Sequence, residues 1–160
     1  YAVQRAAEAL KSAGVSGYVL NIGGNIRSIG TKPDGSSWTV AITDPFSPES
    51  LMGSVTVTGQ AVVTSGNYEK YFEENGKRYH HILDPCTGAP SESDVVSTTI
   101  IADKGIDCDA LSTATFLMGA DAGMQLIDSL DGIEAVFIQS DGSVVTSKHI
   151  DKYQLQVNNS

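Results

Sequence analysis

Apolar residues recur along the chain in two rhythms, and each predicts a different element. Near the start, Val3, Ala6, Leu10 and Ala13 follow a +3, +4, +3 spacing. That spacing lays one apolar stripe along a helix, with Gly14 as its C-terminal stop. A second stripe, Ala110, Leu111, Ala114 and Leu117, predicts a helix over Asp107 to Met118. A third, Met124, Ile127 and Leu130, predicts a helix from Asp121, read as its N-cap, to Leu130 before Gly132. Between these stripes come short β-rich runs, with alternation at Val55 and Val57 and again at Ala61 and Val63. Tyr18 to Ile29, Trp38 to Ile42, Gly53 to Thr64 with a break at Gly59, and Val95 to Ala102 all read as strands. Tyr68 to Glu73 and Lys77 to Leu83 flank Asn75-Gly76, and Ile133 to Gln139 and Ser143 to Ser147 flank Asp141-Gly142. Such dipeptides tolerate positive φ and favour tight hairpins, while Asp34-Gly35 sits in a longer loop. The sum is an α+β domain, with a largely antiparallel sheet of hairpin-linked strands and about three helices. The polar end from Gln154 to Ser160 is expected to fray.

Composition narrows the function. The 160 residues suit one domain, without repeats, low-complexity tracts or a linker. Nineteen acidic against ten basic residues leave a charge of −9, which excludes a basic nucleic-acid footprint. No apolar run reaches the roughly 18 residues of a membrane span. Cys86 and Cys108 are too few for a disulfide scaffold and read as incidental, with one bond between them possible. The chain opens at Tyr1 without an initiator Met or a leader, which fits the C-terminal part of a longer protein.

Four segments could carry chemistry. Asn21-Ile-Gly-Gly-Asn25 allows a close backbone approach to a ligand, or is simply a bulge or tight turn. Val63-Thr-Ser-Gly-Asn-Tyr68 offers hydroxyls and amides where one strand ends and another begins, or is a plain turn. In Arg78-Tyr-His80-His81-Ile-Leu-Asp-Pro85, successive strand residues face opposite ways, so the two histidines cannot share a metal. One faces solvent and the other a cavity or the core, and a histidine suits proton transfer near neutral pH. Asp109, Ser112 and Thr113 share a helix face by their i, i+3, i+4 spacing. A carboxylate and two hydroxyls are hard oxygen donors suited to Mg²⁺, or are the wet side of a capped helix start.

Together these stretches resemble the ApbE family of FAD:protein FMN transferases. The carrying segments are Asn21-Ile-Gly-Gly-Asn25, Ser65-Gly-Asn-Tyr68, Tyr79-His-His-Ile-Leu-Asp-Pro85 with Thr87-Gly88, and Asp109-Ala-Leu-Ser-Thr-Ala114. The opening Tyr1 to Leu10 is also similar to the family's central helix. The resemblance covers nearly the whole chain and implies an ApbE-like, T-fold-type core that is incomplete at its N-terminus. It implies Mg²⁺-dependent transfer of FMN from FAD to a Thr hydroxyl of a target flavoprotein, releasing AMP. Targets in the family include subunits of sodium-pumping quinone reductases. By the same resemblance Asp109 and Thr113 are Mg²⁺ ligands with Ser112 contributing, and His81 is the catalytic histidine. Leu83 lines the flavin site, and Asn21, Gly23, Gly24 and Ser65 shape the FAD cleft. Family members are bacterial and exported, often held at the membrane by a lipid anchor. Cys86 falls at a variable position of the Asp-Pro-x-Thr-Gly turn. The family's Asp-x-Gly-Ala-x-Ala-Lys-Gly segment, which precedes the first helix, is absent here. The 160 residues alone are therefore expected to be inactive. FAD hydrolysis to FMN and AMP, or flavin binding without catalysis, are the alternatives.

Overall fold

The computed structural model describes residues 2–158 and has three layers. The middle layer is a six-stranded sheet in the order β1 (Tyr18–Ile22), β2 (Asn25–Ile29), β5 (Ala61–Gly66), β8 (Val95–Ala102), β9 (Glu134–Gln139), β10 (Val144–Thr146). Every neighbouring pair in it is antiparallel. Helices α1 (Ala2–Ser12), α2 (Gly105–Met118) and α3 (Ala120–Asp128) accompany it. Helices α2 and α3 cover one face, where Val63, Ile100, Cys108, Phe116, Ile127 and Phe137 form a core. The other face packs on β3 (Trp38–Thr43) and β4 (Leu51–Val57) through Val40, Val55, Val57, Val62, Ile101 and Val136. The hairpin β6 (Tyr71–Glu74) with β7 (Lys77–His80) forms a separate two-stranded sheet. A 3₁₀ turn at Ile150–Tyr153 precedes the short β11 (Gln156–Val157).

This α+β architecture is the one the hydrophobic rhythm predicts, and β8 occupies the very span expected. Strands β8 and β9 are buried on both faces along nearly their whole length, which is why Val95–Ala102 reads as a near-continuous run rather than an alternation. Several details differ. The run from Tyr18 to Ile29 is two strands, because Gly23 and Gly24 take φ of +61° and +85°. That is a two-residue hairpin turn, with Ile22 paired to Asn25. The break at Gly59 is a change of sheet, since β4 pairs with β3 and β5 with β2 and β8. The Asp34-Gly35 loop likewise connects strands of different sheets.

Two helix readings need correcting. The fully buried side of α2 is Cys108, Ser112, Thr115 and Phe116; of the expected stripe, Leu111 and Leu117 pack against the core half-buried, while Ala110 is exposed. The polar members are tolerated inside because their hydroxyls bond locally, Thr115 donating to the Leu111 carbonyl at 2.8 Å. Asp121 lies in the first turn of α3 rather than capping it. Gly119 holds the N-cap position, and the Asp94 carboxylate accepts the Ala120 N–H at 3.0 Å from the β8 side. The C-terminal segment does not fray over its described length: Gln156 and Val157 pair with Ser54 and Gly53 of β4. Tyr1, Asn159 and Ser160 lie outside the described residues. Both cysteines are free thiols, Cys86 exposed and Cys108 buried, and burial pushes the Cys108 pKa up to about 12. No helix among the described residues is long and apolar enough to cross a membrane.

Candidate functional site

Strand β5 organises the site by alternation. Its successive side chains point to opposite faces of the middle sheet. Ser65 meets helix α2, while Thr64 lines a cavity on the other face. On the helix side, the Ser65 hydroxyl lies 2.8 Å from the Ser112 hydroxyl and 3.2 Å from that of Thr113. Ser112 also donates to the Asp109 carbonyl at 3.1 Å. The Asp109 carboxylate is held from the neighbouring strand, where Asn25 Nδ2 donates to Oδ1 at 3.1 Å. Asp109 and Thr113 are exposed and Ser112 is buried. The three helix residues predicted from spacing therefore do assemble, one turn inside α2 rather than at its first residues. Ser65 joins them instead of the glycine loop, and Asn25 is an addition that the spacing did not single out.

The chemistry of this donor set fits an open cation site. It contains the carboxylate of exposed Asp109 and the hydroxyl of exposed Thr113, both hard oxygen donors. Among the described residues no group of three or more His, Cys, Asp or Glu could cage a metal alone. Mg²⁺ rarely needs such a cage, since it keeps waters and takes phosphate oxygens beside one or two carboxylates. Asp109 and Thr113 would hold it from the protein side.

The opposite face carries the cavity, about 370 Å³ in volume. Asn21, Gly24, Thr39, Thr43, Tyr68 and Glu69 contribute to its wall. Asn21 also closes the β1–β2 turn by accepting the Gly24 N–H at 3.2 Å. Gly23 is exposed and does not contribute to the wall. Tyr68 sits where Gly66 allows it: a Cβ on Gly66 would lie 2.3 Å from the Tyr68 ring. Desolvation raises the pKa of the Glu69 carboxyl, with His81 and Lys70 pulling the other way. The two halves of the site meet at the β1–β2 hairpin tip. A Cβ on Gly24 would stand 3.9 Å from Glu69 Oε1, while the next residue, Asn25, reaches Asp109.

The β6–β7 hairpin delivers both histidines, facing opposite ways as strand geometry requires. His80 is buried against Phe116, edge to face at 5.8 Å. Its Nε2 lies 3.1 Å from the Ser91 carbonyl, which can only accept, so the proton is on Nε2. Burial lowers the His80 pKa, the Ser91 contact opposing and the neighbouring His81 and Arg78 adding to it. His80 is thus a neutral core residue. His81 is exposed, with Nδ1 3.2 Å from the Lys70 carbonyl. The Lys70 carbonyl can only accept, so Nδ1 donates to it, and Nε2 is the ring nitrogen without a partner from the protein. Leu83 is 51% exposed and bridges to Pro90, an apolar side chain left uncovered beside the histidine. Among the described residues no hydrogen bond joins His81 or Leu83 to the Asp109 cluster.

The chain is similar to known proteins over most of its length. The sequence pattern of the ApbE family matches residues 1–137. An FAD:protein FMN transferase of Treponema pallidum is 39% identical over 153 residues, covering 90% of this chain and 41% of its own. One from Klebsiella pneumoniae is 36% identical over 148 residues, covering 92% of this chain and 45% of its own. The crystal structure of the ApbE protein of Thermotoga maritima superposes with a TM-score of 0.86 at 34% identity. It covers 96% of this chain and 50% of its own length. The chain thus spans less than half the length of those two curated relatives.

Proposed function

Because the chain belongs to the ApbE family, we propose that it supplies the cation-binding and proton-accepting side of an FAD:protein FMN transferase active site. The observation that carries this reading is the cluster in which β2 and β5 hold Asp109 and Thr113 at the surface of α2. In the proposed reaction a Thr hydroxyl of an acceptor protein attacks the FMN-side phosphorus of FAD. A phosphoester forms, the pyrophosphate bridge breaks and AMP leaves. Mg²⁺ bound by Asp109 and Thr113 would neutralise the pyrophosphate charge and stabilise the departing oxygen. Ser112, its oxygen turned inward to Ser65 and the Asp109 carbonyl, braces that pair. His81 Nε2 accepts the proton that the Thr hydroxyl loses. Leu83 offers apolar surface for the flavin ring, and the Asn21, Gly24 and Glu69 cavity receives a polar part of the dinucleotide. Gly23 serves the turn itself.

The test is flavin fluorescence of an acceptor protein after incubation with FAD and Mg²⁺ and separation on a denaturing gel. The full-length protein is expected to label the acceptor, and chelation of Mg²⁺ to abolish labelling. Asp109→Ala should cost on the order of 100-fold or more in transfer, the scale of losing one electrostatic stabiliser. Wild-type labelling by Asp109→Ala would remove the cation assignment. His81→Ala should slow transfer by roughly 10²–10⁴ with FAD affinity preserved. A dark acceptor with free FMN and AMP in solution would select FAD hydrolysis. Tight FAD binding without turnover would select a binding module. The 160-residue chain run beside the full-length protein shows whether residues outside this segment complete the site.

A further inference from the structure

The hydroxyls behind the candidate cation ligands form a chain whose direction can be worked out. The Asp109 carbonyl can only accept, so its 3.1 Å contact uses the one proton of the Ser112 hydroxyl. Ser112 is then the acceptor at its 2.8 Å contact with Ser65, which spends the Ser65 proton. Ser65 in turn accepts at its 3.2 Å contact with Thr113, which spends the Thr113 proton. The protons run inward from Thr113 to Ser65 to Ser112 to the helix backbone. What Thr113 leaves at the surface is lone pairs alone. A hydroxyl in that state binds a cation and has no proton to offer an anion.

Asn25 does the matching work on the carboxylate. Its Nδ2 donates to Asp109 Oδ1 across 84 positions of sequence. Its own backbone is fixed by pairing with Ile22 across the two-glycine turn and with Val63 of β5. An exposed Asp on a helix otherwise samples several rotamers and must be ordered when a ligand arrives. We propose that Asn25 and Ser65 are positioning residues that preset the Asp109 carboxylate and the Thr113 lone pairs for a divalent cation. Neither touches the ion. They act as outer partners do in metal sites, by fixing the orientation of the groups that bind. The proposal rests on the reading of Asp109 and Thr113 as cation ligands.

The experiment titrates the full-length protein and its variants with Mn²⁺ alone and follows free Mn²⁺ by electron paramagnetic resonance. Thermal melting of each variant runs alongside. Asn25→Ala and Ser65→Ala are expected to weaken Mn²⁺ binding by about 10- to 100-fold, with melting close to wild type. Ser65→Thr keeps the hydroxyl and is expected to restore binding, which a loss of packing alone would not explain. Two outcomes overturn the proposal. If Asp109→Ala loses Mn²⁺ while Asn25→Ala and Ser65→Ala bind as wild type does, positioning fails and the cation site stands. If Asp109→Ala itself binds as wild type does, the cation reading fails and takes the positioning with it. Binding by Ser65→Ala equal to that of Ser65→Thr would overturn the hydroxyl chain specifically.

Discussion

Gly66 shows how one missing methyl group can shape a site. The Tyr68 ring occupies the space where a Gly66 side chain would begin, 2.3 Å away at its nearest atom. Gly66→Ala must therefore push the ring that walls the cavity. We expect a loss of about 1–3 kcal/mol, typical of overpacking, measured by denaturant unfolding, and weaker FAD binding by fluorescence quenching. Unchanged affinity would separate the cavity from the flavin. His80 allows a second test at this scale. Its neutral form is favoured by burial, so its NMR titration midpoint should fall below the ordinary value of about 6.5. The sign follows: as pH drops through 6.5 the unfolded chain takes up a proton that the folded chain resists, and stability is lost. The grouping of Asp109, Ser112 and Thr113 was legible in the sequence because helix periodicity is local. The parts that Asn25 and Glu69 play were not, since each depends on strands that meet only after folding. The division between Ser65 and the Asn21-to-Gly24 loop was hidden for the same reason: it depends on which face of β5 each residue addresses.

Elements were most readable where a single rule governs them. The Asn75-Gly76 and Asp141-Gly142 hairpins form where the turn chemistry puts them. Reading failed where one element is finished by another. Helix α3 begins at Gly119 with no side-chain cap of its own, and the carboxylate from Asp94 takes that role. Asp94 also accepts from Gln139 Nε2 at 3.2 Å, tying the start of β8 to the end of β9. Asp94→Ala should lower stability by roughly 0.5–2 kcal/mol, the cost of a lost N-cap, visible as a reduced melting temperature. Asp121→Ala, which removes no cap, should fall within about ±0.5 kcal/mol of wild type. Equal effects would mean that α3 does not depend on its distant cap. The stripe expected on α2 caught Leu111 and Leu117 but missed the fully buried side, because hydroxyl residues count as polar in a sequence. In the folded helix, Ser112 and Thr115 satisfy themselves against carbonyls of the preceding turn.

At the scale of the molecule, the 3₁₀ turn near the C-terminus is locked to the middle sheet by one buried carboxylate. Glu134 on β9 receives Lys152 Nζ at 2.9 Å, the His149 N–H at 3.2 Å and the Ser147 hydroxyl. Burial alone would raise its pKa. The Ser147 hydroxyl, Lys152 and the His149 amide outweigh burial, and the net direction is down. A depressed carboxyl contributes stability above its unfolded value, near 4.3, and that contribution is lost as pH falls through the folded value. The wild-type chain should accordingly lose stability steeply below about pH 4.5, whereas Glu134→Gln starts lower by about 1–3 kcal/mol at pH 7 and has a flatter acid limb. Parallel acid limbs in the two proteins would show that the carboxylate is not the lock. Beyond that lock, β11 pairs along the outer edge of β4 at Gly53, where a Cβ would sit 2.1 Å from the Gln156 carbonyl. A sheet edge with free amides and carbonyls is a template for any strand that finds it, including one from another copy. Strand β11 covers that edge at Ser54 and Gly53, so trimming the chain before Gln156 should raise self-association, read by light scattering at increasing concentration.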